Sequence, residues 1–487
     1  MGERGLSGLG SAAAMLAAAL GLLVVAGGSA GTVLANPISD DPYTNPSSQH
    51  RTQVEADSFA FGNTIVATFQ TGRFYDGGAS NIGWSTSTNG GRTWTTGVLP
   101  ATTIYQGGPW PRISDPAVAY DPEHDVWMIS TLAVEEPTRG AAVLTSRSTD
   151  GGLTWQSPVT TATSPGTFFD KNWIACDTWA ASPHYGNCYT QWDDAGAGGD
   201  MMMSTSTDGG LTWSPIRTPA GNPSGLGGQP VVQPNGNVIV PYSGGGGIRV
   251  FRSIDGGTTW SASTSVASAN WHTPSGDLRI HLLASAEVDG EGRVYVVWHD
   301  CRFRSGCSAN DIVMTTSLDG LNWSAVTRIP IDATTSGVDH FIPGIAADRA
   351  TSGSDAHLAL GYHYYPVSNC TFNTCQMTVG FVSSLDGGAS WTPPTRVAGP
   401  MNMSWIADTN QGRMVGDYMS TSFTGDDIAH PIFATAKAPT GSVFAQRAAA
   451  ARFDVTAPQV APRVRMRKDR VYRSLNRRDI RAVPRAY

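Results

Sequence analysis

The sequence predicts an all-β fold assembled from repeated, four-stranded antiparallel units, and three observations predict it. A turn of the form Ser-Thr-Asp-Gly-Gly-Leu-Thr-Trp recurs six times, at residues 87–94, 148–155, 206–213, 253–260, 317–323 and 384–391. Its tryptophans are spaced by 61, 58, 47, 63 and 68 residues, and a period of that length marks an array of like units. Around each turn lie short β-branched and aromatic runs punctuated by Gly, Asn and Asp, which is strand chemistry. Finally, 56 glycines and a charged fraction of only 15% suit a turn-rich β protein, and no stretch shows helical periodicity of useful length.

The elements follow in chain order. Arg4, an apolar run over 12–26 and the small residues Val33-Leu34-Ala35 have the layout of an export signal cleaved before Asn36. Gly27, Gly28, Ser29 and Gly31 break the apolar run, which favours cleavage over an uncleaved membrane anchor. Residues 36–50 read as a linker and 51–455 as the repeat domain. The first unit has strands over 52–60, 63–69, 82–88 and 95–99. Comparable groups begin near Ser114, Lys171, Gln229, Leu283 and Phe341. A seventh unit without the turn runs from Gly412 through 428–436 to 442–453. Four-stranded units at this spacing are β-propeller blades. Seven blades are favoured, with a six-bladed ring plus a C-terminal hairpin as the alternative.

The turn has a physical account. Glycine tolerates positive φ, and Asp accepts hydrogen bonds from the turn's own amides. Asn89 keeps that acceptor oxygen, and the fifth turn is one residue short, so a tighter turn is expected there. The closing tryptophan is expected to wedge between the third and fourth strands of its own unit. A calcium-loop reading fails because the alternating oxygen ligands and distal Glu are absent. No cofactor is implied, and a structural calcium ion is left open.

The six cysteines fall in close pairs, Cys176 with Cys188, Cys301 with Cys307 and Cys370 with Cys375. In an exported chain they read as three local disulfides. Residues 461–487 hold ten Lys or Arg against two Asp, within a chain of net charge −7. The acidic body excludes nucleic acid as the main partner. The tail over 456–487 reads as disordered, with electrostatic contact to a cell envelope as a further role.

The six turns resemble the Asp-box (bacterial neuraminidase) repeats of the sialidase superfamily, over roughly residues 50–455. The resemblance implies a β-propeller and a secreted glycoside hydrolase acting on an extracellular glycan. Proteins with this repeat also include pure binders, so a non-catalytic propeller that binds glycan or protein is the alternative.

In an antiparallel four-stranded unit the 1–2 and 3–4 turns share one face. Every Asp box is a 3–4 turn, so a central pocket of sialidase type is expected on the opposite face. Segments entering first strands or following second strands place Arg112, Asp115, Asp170, Lys171, Trp173, Glu287, His299, Asp300, Arg302, His340, His363, Arg413, Asp417 and Tyr418 there. Aromatics beside carboxylates and arginines suit a sugar. The resemblance further implies Arg112, Arg302 and Arg413 around a substrate carboxylate, because the guanidinium fork matches it bidentately. It also implies Asp115 or Asp170 as acid, and Tyr418 with Glu287 as the nucleophile pair.

Overall fold

The computed structural model describes residues 35–135 and 138–457. The expected export signal, Ala35 apart, and nearly all of the basic tail lie outside them. The described chain is all-β. Its helical segments are 3-10 turns such as Ile104–Gln106, and no helix among the described residues is long and apolar enough to cross a membrane.

Among the described residues the strands follow one another in antiparallel groups, numbered here as units 1 to 7 in chain order. Unit 1 is Gln49–Phe61, Thr64–Arg73, Ala79–Ser87 and Thr95–Val98. The first strands of units 2 to 7 are Arg112–Asp121, Phe169–Cys176, Val231–Val232, Ser285–Val288, Asp339–Ala347 and Ser420–Thr424. Unit 3 has three strands, ending in Asp200–Ser206. In unit 7, Ser420–Thr424, Ile428–Thr440 and Val443–Ala450 are joined by Asn36–Pro37, which pairs with Val443–Ala450. Residues 36–50, read from sequence as a linker, thus supply that strand and the start of unit 1. Gly412, expected to open the seventh unit, instead pairs in a separate hairpin of Ala407–Thr409 with Gly412–Met414. Each first strand packs against the first strand of the next unit, and that of unit 7 packs against that of unit 1.

The recurring turns hold their aspartate with their own backbone and hydroxyl groups. Asp150 accepts from Thr154 N at 2.9 Å, Thr154 Oγ1 at 2.6 Å and Ser148 Oγ at 2.8 Å. Gly152 N in turn donates to Ser148 Oγ at 2.9 Å. Asn89 substitutes as expected, accepting from Thr93 N at 3.0 Å. The short fifth turn tightens around Asp319, which accepts from Leu321 N and Asn322 N at 2.8 Å each.

The turn tryptophans reach beyond their own units. Trp155 packs with Trp84, Ile82 and Val66 of the preceding unit as well as Ile113 and Trp127 of its own. Trp391 likewise packs against a cluster built from both sides of its seam, Tyr295 and Met314 with Leu358 and Val382. An indole is long enough to bridge facing sheets, so it covers the seam between units. At roughly 25 cal/mol per Å² and roughly 150–250 Å² per indole, each contributes several kcal/mol. Glycine is required where the turn touches the neighbour. Gly257 has φ +81°, and a Cβ there would lie 2.3 Å from Thr205 Oγ1 and 2.9 Å from Tyr189 of the preceding unit.

The three expected disulfides are present. Cys176–Cys188 joins the first two strands of unit 3, while the other two staple loops that follow second strands of units 5 and 6.

Candidate functional site

The first strands of units 1, 2, 3 and 6 each carry a bulge, between Val54 and Asp57, Ser114 and Ala117, Asp170 and Trp173, and Phe341 and Pro343. The residues inside them, Glu55, Asp115, Lys171 and Ile342, have φ of 54°, 47°, 48° and 50°. Left-handed backbone at a non-glycine residue is costly and persists where surrounding structure over-determines it. Here it re-aims three charged side chains toward one another between the facing first strands.

Lys171 Nζ meets Asp115 Oδ1 at 3.3 Å and lies 3.5 Å from the centre of the Tyr418 ring. Tyr418 donates its hydroxyl to Pro116 O at 2.9 Å, and Trp173 meets its ring edge-on at 4.9 Å. Arg279 holds Asp417 bidentately, Nε to Oδ1 at 3.2 Å and Nη2 to Oδ2 at 2.7 Å. Gln70 donates to Glu55 and, at 3.0 Å, to Ser114 Oγ. Glu55, Asp115, Lys171, Asp417 and Tyr418 are all buried, and Asp170 is partly exposed.

Crowding of carboxyls in a desolvated space sets their protonation. Burial, then the charge of Asp115, pushes Glu55 up to about 8 and Asp170 up to about 7. Burial, then Asp170 and Asp115, raises Asp193 well above the ordinary range. Asp417 goes the other way: burial opposes its charge, but Arg279, His281 and Lys171 overcome it and hold the carboxyl low. Burial would lower Lys171, yet Asp115 and Glu55 prevail and raise it. Burial and then the charges of Glu55 and Asp115 raise Tyr418 well above 10, which disfavours its phenolate.

A space of about 20 Å³ beside this network is lined by Lys171, Trp173, His281, His299, Asp417 and Tyr418. His299 is 1% exposed, and neither ring nitrogen has a partner among the described residues. Burial pulls it down to about 4, so the imidazole is neutral. Gln70 Oε1, Asn172 Oδ1, Gln191 Oε1 and Asp193 Oδ1 are likewise buried without a partner among the described residues. Such concentrations of unsatisfied polar atoms are rare in a purely structural core. The site is closed by two inward-folded segments: Arg279 N donates to Arg413 O at 2.9 Å and Arg413 N to Asp277 O at 2.6 Å. Cys301, in one of the two loop disulfides, donates its N–H to Asn270 O at the edge of this cover.

Of the residues expected from sequence, Asp115, Asp170, Lys171, Trp173, Asp417 and Tyr418 converge, and His299 lines the adjoining space. Glu287 lies further along the axis, partly exposed, and burial raises it to about 7 against the pull of Arg349. The three arginines expected around one carboxylate each have a carboxylate of their own. Arg112 pairs with Asp76 at 2.5 Å, Arg302 with Asp300 at 2.7 Å and Arg413 with Asp408 at 3.6 Å. Asp300 also accepts from Trp298 Nε1 at 3.1 Å, fixing a loop. His340 Nδ1 lies 3.1 Å from Asn310 O, and His363 is buried with both nitrogens unpartnered among the described residues. Sequence reasoning missed Glu55, Asp57 and Arg279. The string Val54-Glu55-Ala56-Asp57, charged residues alternating with apolar ones in a strand, was the available signal for the first two.

The axis widens toward the Asp-box face. Trp173, Gln229, Ser285 and Met419 line both the 20 Å³ space and a second of about 40 Å³, which reaches Glu287 and Arg349. Glu287 and Arg349 in turn border a cavity of about 490 Å³ among the 1–2 turns. A pocket was expected only on the face away from the boxes. The roomy cavity is at the box end because the strands finish there in small residues, Ala60, Gly62, Ala346, Ala347 and Gly425, while inward loops fill the other end.

No protein-family model and no curated protein matches the chain. Among solved structures, it is similar to the Hadza microbial sialidase Hz136 at 15% identity and TM-score 0.46, covering 83% of this chain and 66% of that one. It is similar to the NanB sialidase from Streptococcus pneumoniae at 13% identity and TM-score 0.44, over 86% and 71% of the two chains. A Penicillium chrysogenum α-L-arabinanase aligns at 12% identity and TM-score 0.44, over 87% and 98%. Likeness at this level assigns neither substrate nor activity.

Proposed function

We propose that the chain is a secreted, seven-bladed Asp-box β-propeller that hydrolyses a glycosidic bond of an extracellular glycan at the charged site away from the boxes. The cyclic packing of first strands, closed by unit 7 against unit 1, supports the ring. Three local disulfides support the export read from the N-terminal signal.

The observation that carries the chemistry is the pairing of Asp170, pushed up to about 7, with Asp115 held by Lys171. A carboxyl that keeps its proton near neutrality, beside a second carboxyl paired with a lysine, is an arrangement that glycoside hydrolysis uses. Asp170 delivers the proton to the departing oxygen, and Asp115 acts from the other side as nucleophile or base. His299, Asn172, Gln191 and Asp193 offer hydrogen-bonding atoms to sugar hydroxyls. Tyr418, whose hydroxyl is committed to Pro116 O, shapes the site through its ring under Lys171. Substrate entry requires the cover formed by 270–283 and 403–418 to open.

The test is turnover of a panel of fluorogenic glycosides, sialosides included. At least one should be hydrolysed, Asp170→Asn should reduce kcat about 10²- to 10⁴-fold, and Tyr418→Phe should keep most of the activity. Loss of all activity in Tyr418→Phe would move the nucleophile to the tyrosine. No turnover on any glycoside would overturn hydrolysis in favour of glycan binding, a second reading favoured by the small 20 Å³ space beside the network.

A further inference from the structure

We infer that the cavity at the Asp-box end of the axis is a separate binding site for a neutral, polyhydroxylated small molecule, a free sugar or a sugar terminus. Its volume of about 490 Å³ falls within the range of small-molecule sites, roughly 300–1,000 Å³. The site is distinct from the charged network, since the first strands and the 40 Å³ space lie between them.

Its floor holds an arginine with donors to spare. Arg349 Nη1 donates to Thr178 Oγ1, and among the described residues this is its one hydrogen bond and it forms no ion pair. A guanidinium carries five N–H donors, so most remain for a ligand. The group lies near two rings, 5.3 Å from the centre of Phe59 and 5.4 Å from that of Trp179. Two such cation–π contacts restrict where the fork can sit before anything binds.

The rest of the lining supplies the complement. Glu287 accompanies Arg349 on the floor, and Ser58, Thr351, Thr421 and Ser422 add hydroxyls. Phe61, 42% exposed, and Phe423 add apolar faces. Asp348, Asp426 and Asp427 also line it, Asp427 with His357 Nδ1 at 2.7 Å.

The distribution of charge selects the ligand. An anion would find Arg349 but would also meet three aspartates and Glu287. A cation would be drawn to the aspartates and opposed by the arginine at the floor. A neutral molecule bearing many hydroxyls uses both, donating to carboxylates and accepting from the guanidinium, while its C–H faces pack on phenylalanine. Sugars are the molecules of this description.

The experiment uses the Asp170→Asn protein, so that nothing is turned over during titration. Glucose, galactose, mannose, glucuronate, glucosamine and calcium chloride are titrated separately, by calorimetry and by fluorescence, since Trp179 reports from the wall. At least one neutral hexose should bind saturably with one site. Arg349→Met should weaken it about tenfold or more through lost charged hydrogen bonds. Phe61→Ala, at an exposed position that does not threaten folding, should weaken it about two- to tenfold. Binding of glucuronate, glucosamine or calcium alone overturns the proposal in favour of an anion or cation site. Absence of binding by every probe also overturns it, as does hexose binding indifferent to Phe61→Ala and to a folded Arg349→Met.

Discussion

The two ends of the axis solve the same backbone problem in opposite ways. In the Asp boxes, left-handed residues are glycines such as Gly151 and Gly152 at φ 79° and 81°, and every acceptor of Asp150 is satisfied. There the hydrogen bonds of Thr154, Ser148 and Leu153 outweigh desolvation and pull Asp150 down to about 2. At the bulges the left-handed residues are Glu55, Asp115 and Lys171, carboxyls are pushed up, and buried polar atoms go without partners. A non-glycine residue in such a conformation costs about 1–3 kcal/mol. The turn that places glycine at its left-handed positions is the repeated one. The strained end differs from unit to unit because each bulge presents a different side chain to one shared space. Strain without repetition marks the place where chemistry rather than assembly chose the residue.

The sharpest way to break this contrast is to remove the cation that balances the strained end. Lys171→Met leaves Asp115 unpaired and takes the compensating charge from Glu55 and Asp170. Breaking a buried pair from one side costs about 3–5 kcal/mol, which urea unfolding will read directly. Asp150→Ala, which removes a charge from an exposed turn, should cost about 1 kcal/mol. Equal costs for the two variants would mean that the bulge cluster is no more tightly interlocked than a surface turn.

An intermediate effect is expected where a box meets its neighbour. Gly257→Ala forces a Cβ onto Thr205 and Tyr189 and keeps a non-glycine residue at φ +81°. Overpacking and backbone strain together should cost about 2–4 kcal/mol. Gly151→Ala, with the same backbone sign but no atom within 4 Å of the new Cβ, isolates the backbone part and should cost less. If both variants lose the same stability, the box glycines serve the turn and not the seam.

These contrasts explain which features the sequence makes legible. The recurring turns, the three disulfides and the strand groups are legible because each is a local pattern: a turn, a close cysteine pair, an alternating run. Asp115 and Lys171 were legible as positions, since they enter first strands, but not as an ion pair, because 56 residues separate them. Glu55 is marked only by the alternation of charged and apolar residues around it, and the bulge that turns it inward has no local signal of its own. Arg279 sits in a long loop and acquires its role only by reaching Asp417, 138 residues away. The arginines picked from sequence failed to converge for the complementary reason. Asp76, Asp300 and Asp408 lie close enough to claim them.

Per pH unit the next effect is smaller, and it decides how the strained end is balanced. Glu55 is raised from 4.5 to about 8 in the fold, so the folded state binds more protons than the unfolded chain between those values. Stability from this group is therefore fully present below pH 4.5 and is lost as pH rises toward 8. The box aspartates have the opposite sign. Asp150 is lowered from 3.8 to about 2, and its contribution is present above 3.8 and lost on acidification. Stability should thus fall on both flanks, with the alkaline flank belonging to the bulges. Glu55→Gln should flatten that flank by up to about 1.4 kcal/mol per pH unit, leaving the acid flank as it was, in urea titrations repeated across this range. An unchanged alkaline slope would mean that Glu55 is already ionised in the fold. Lys171 and Arg279 would then neutralise it directly, and the proton held by the cluster would reside on Asp170 or Asp193 instead.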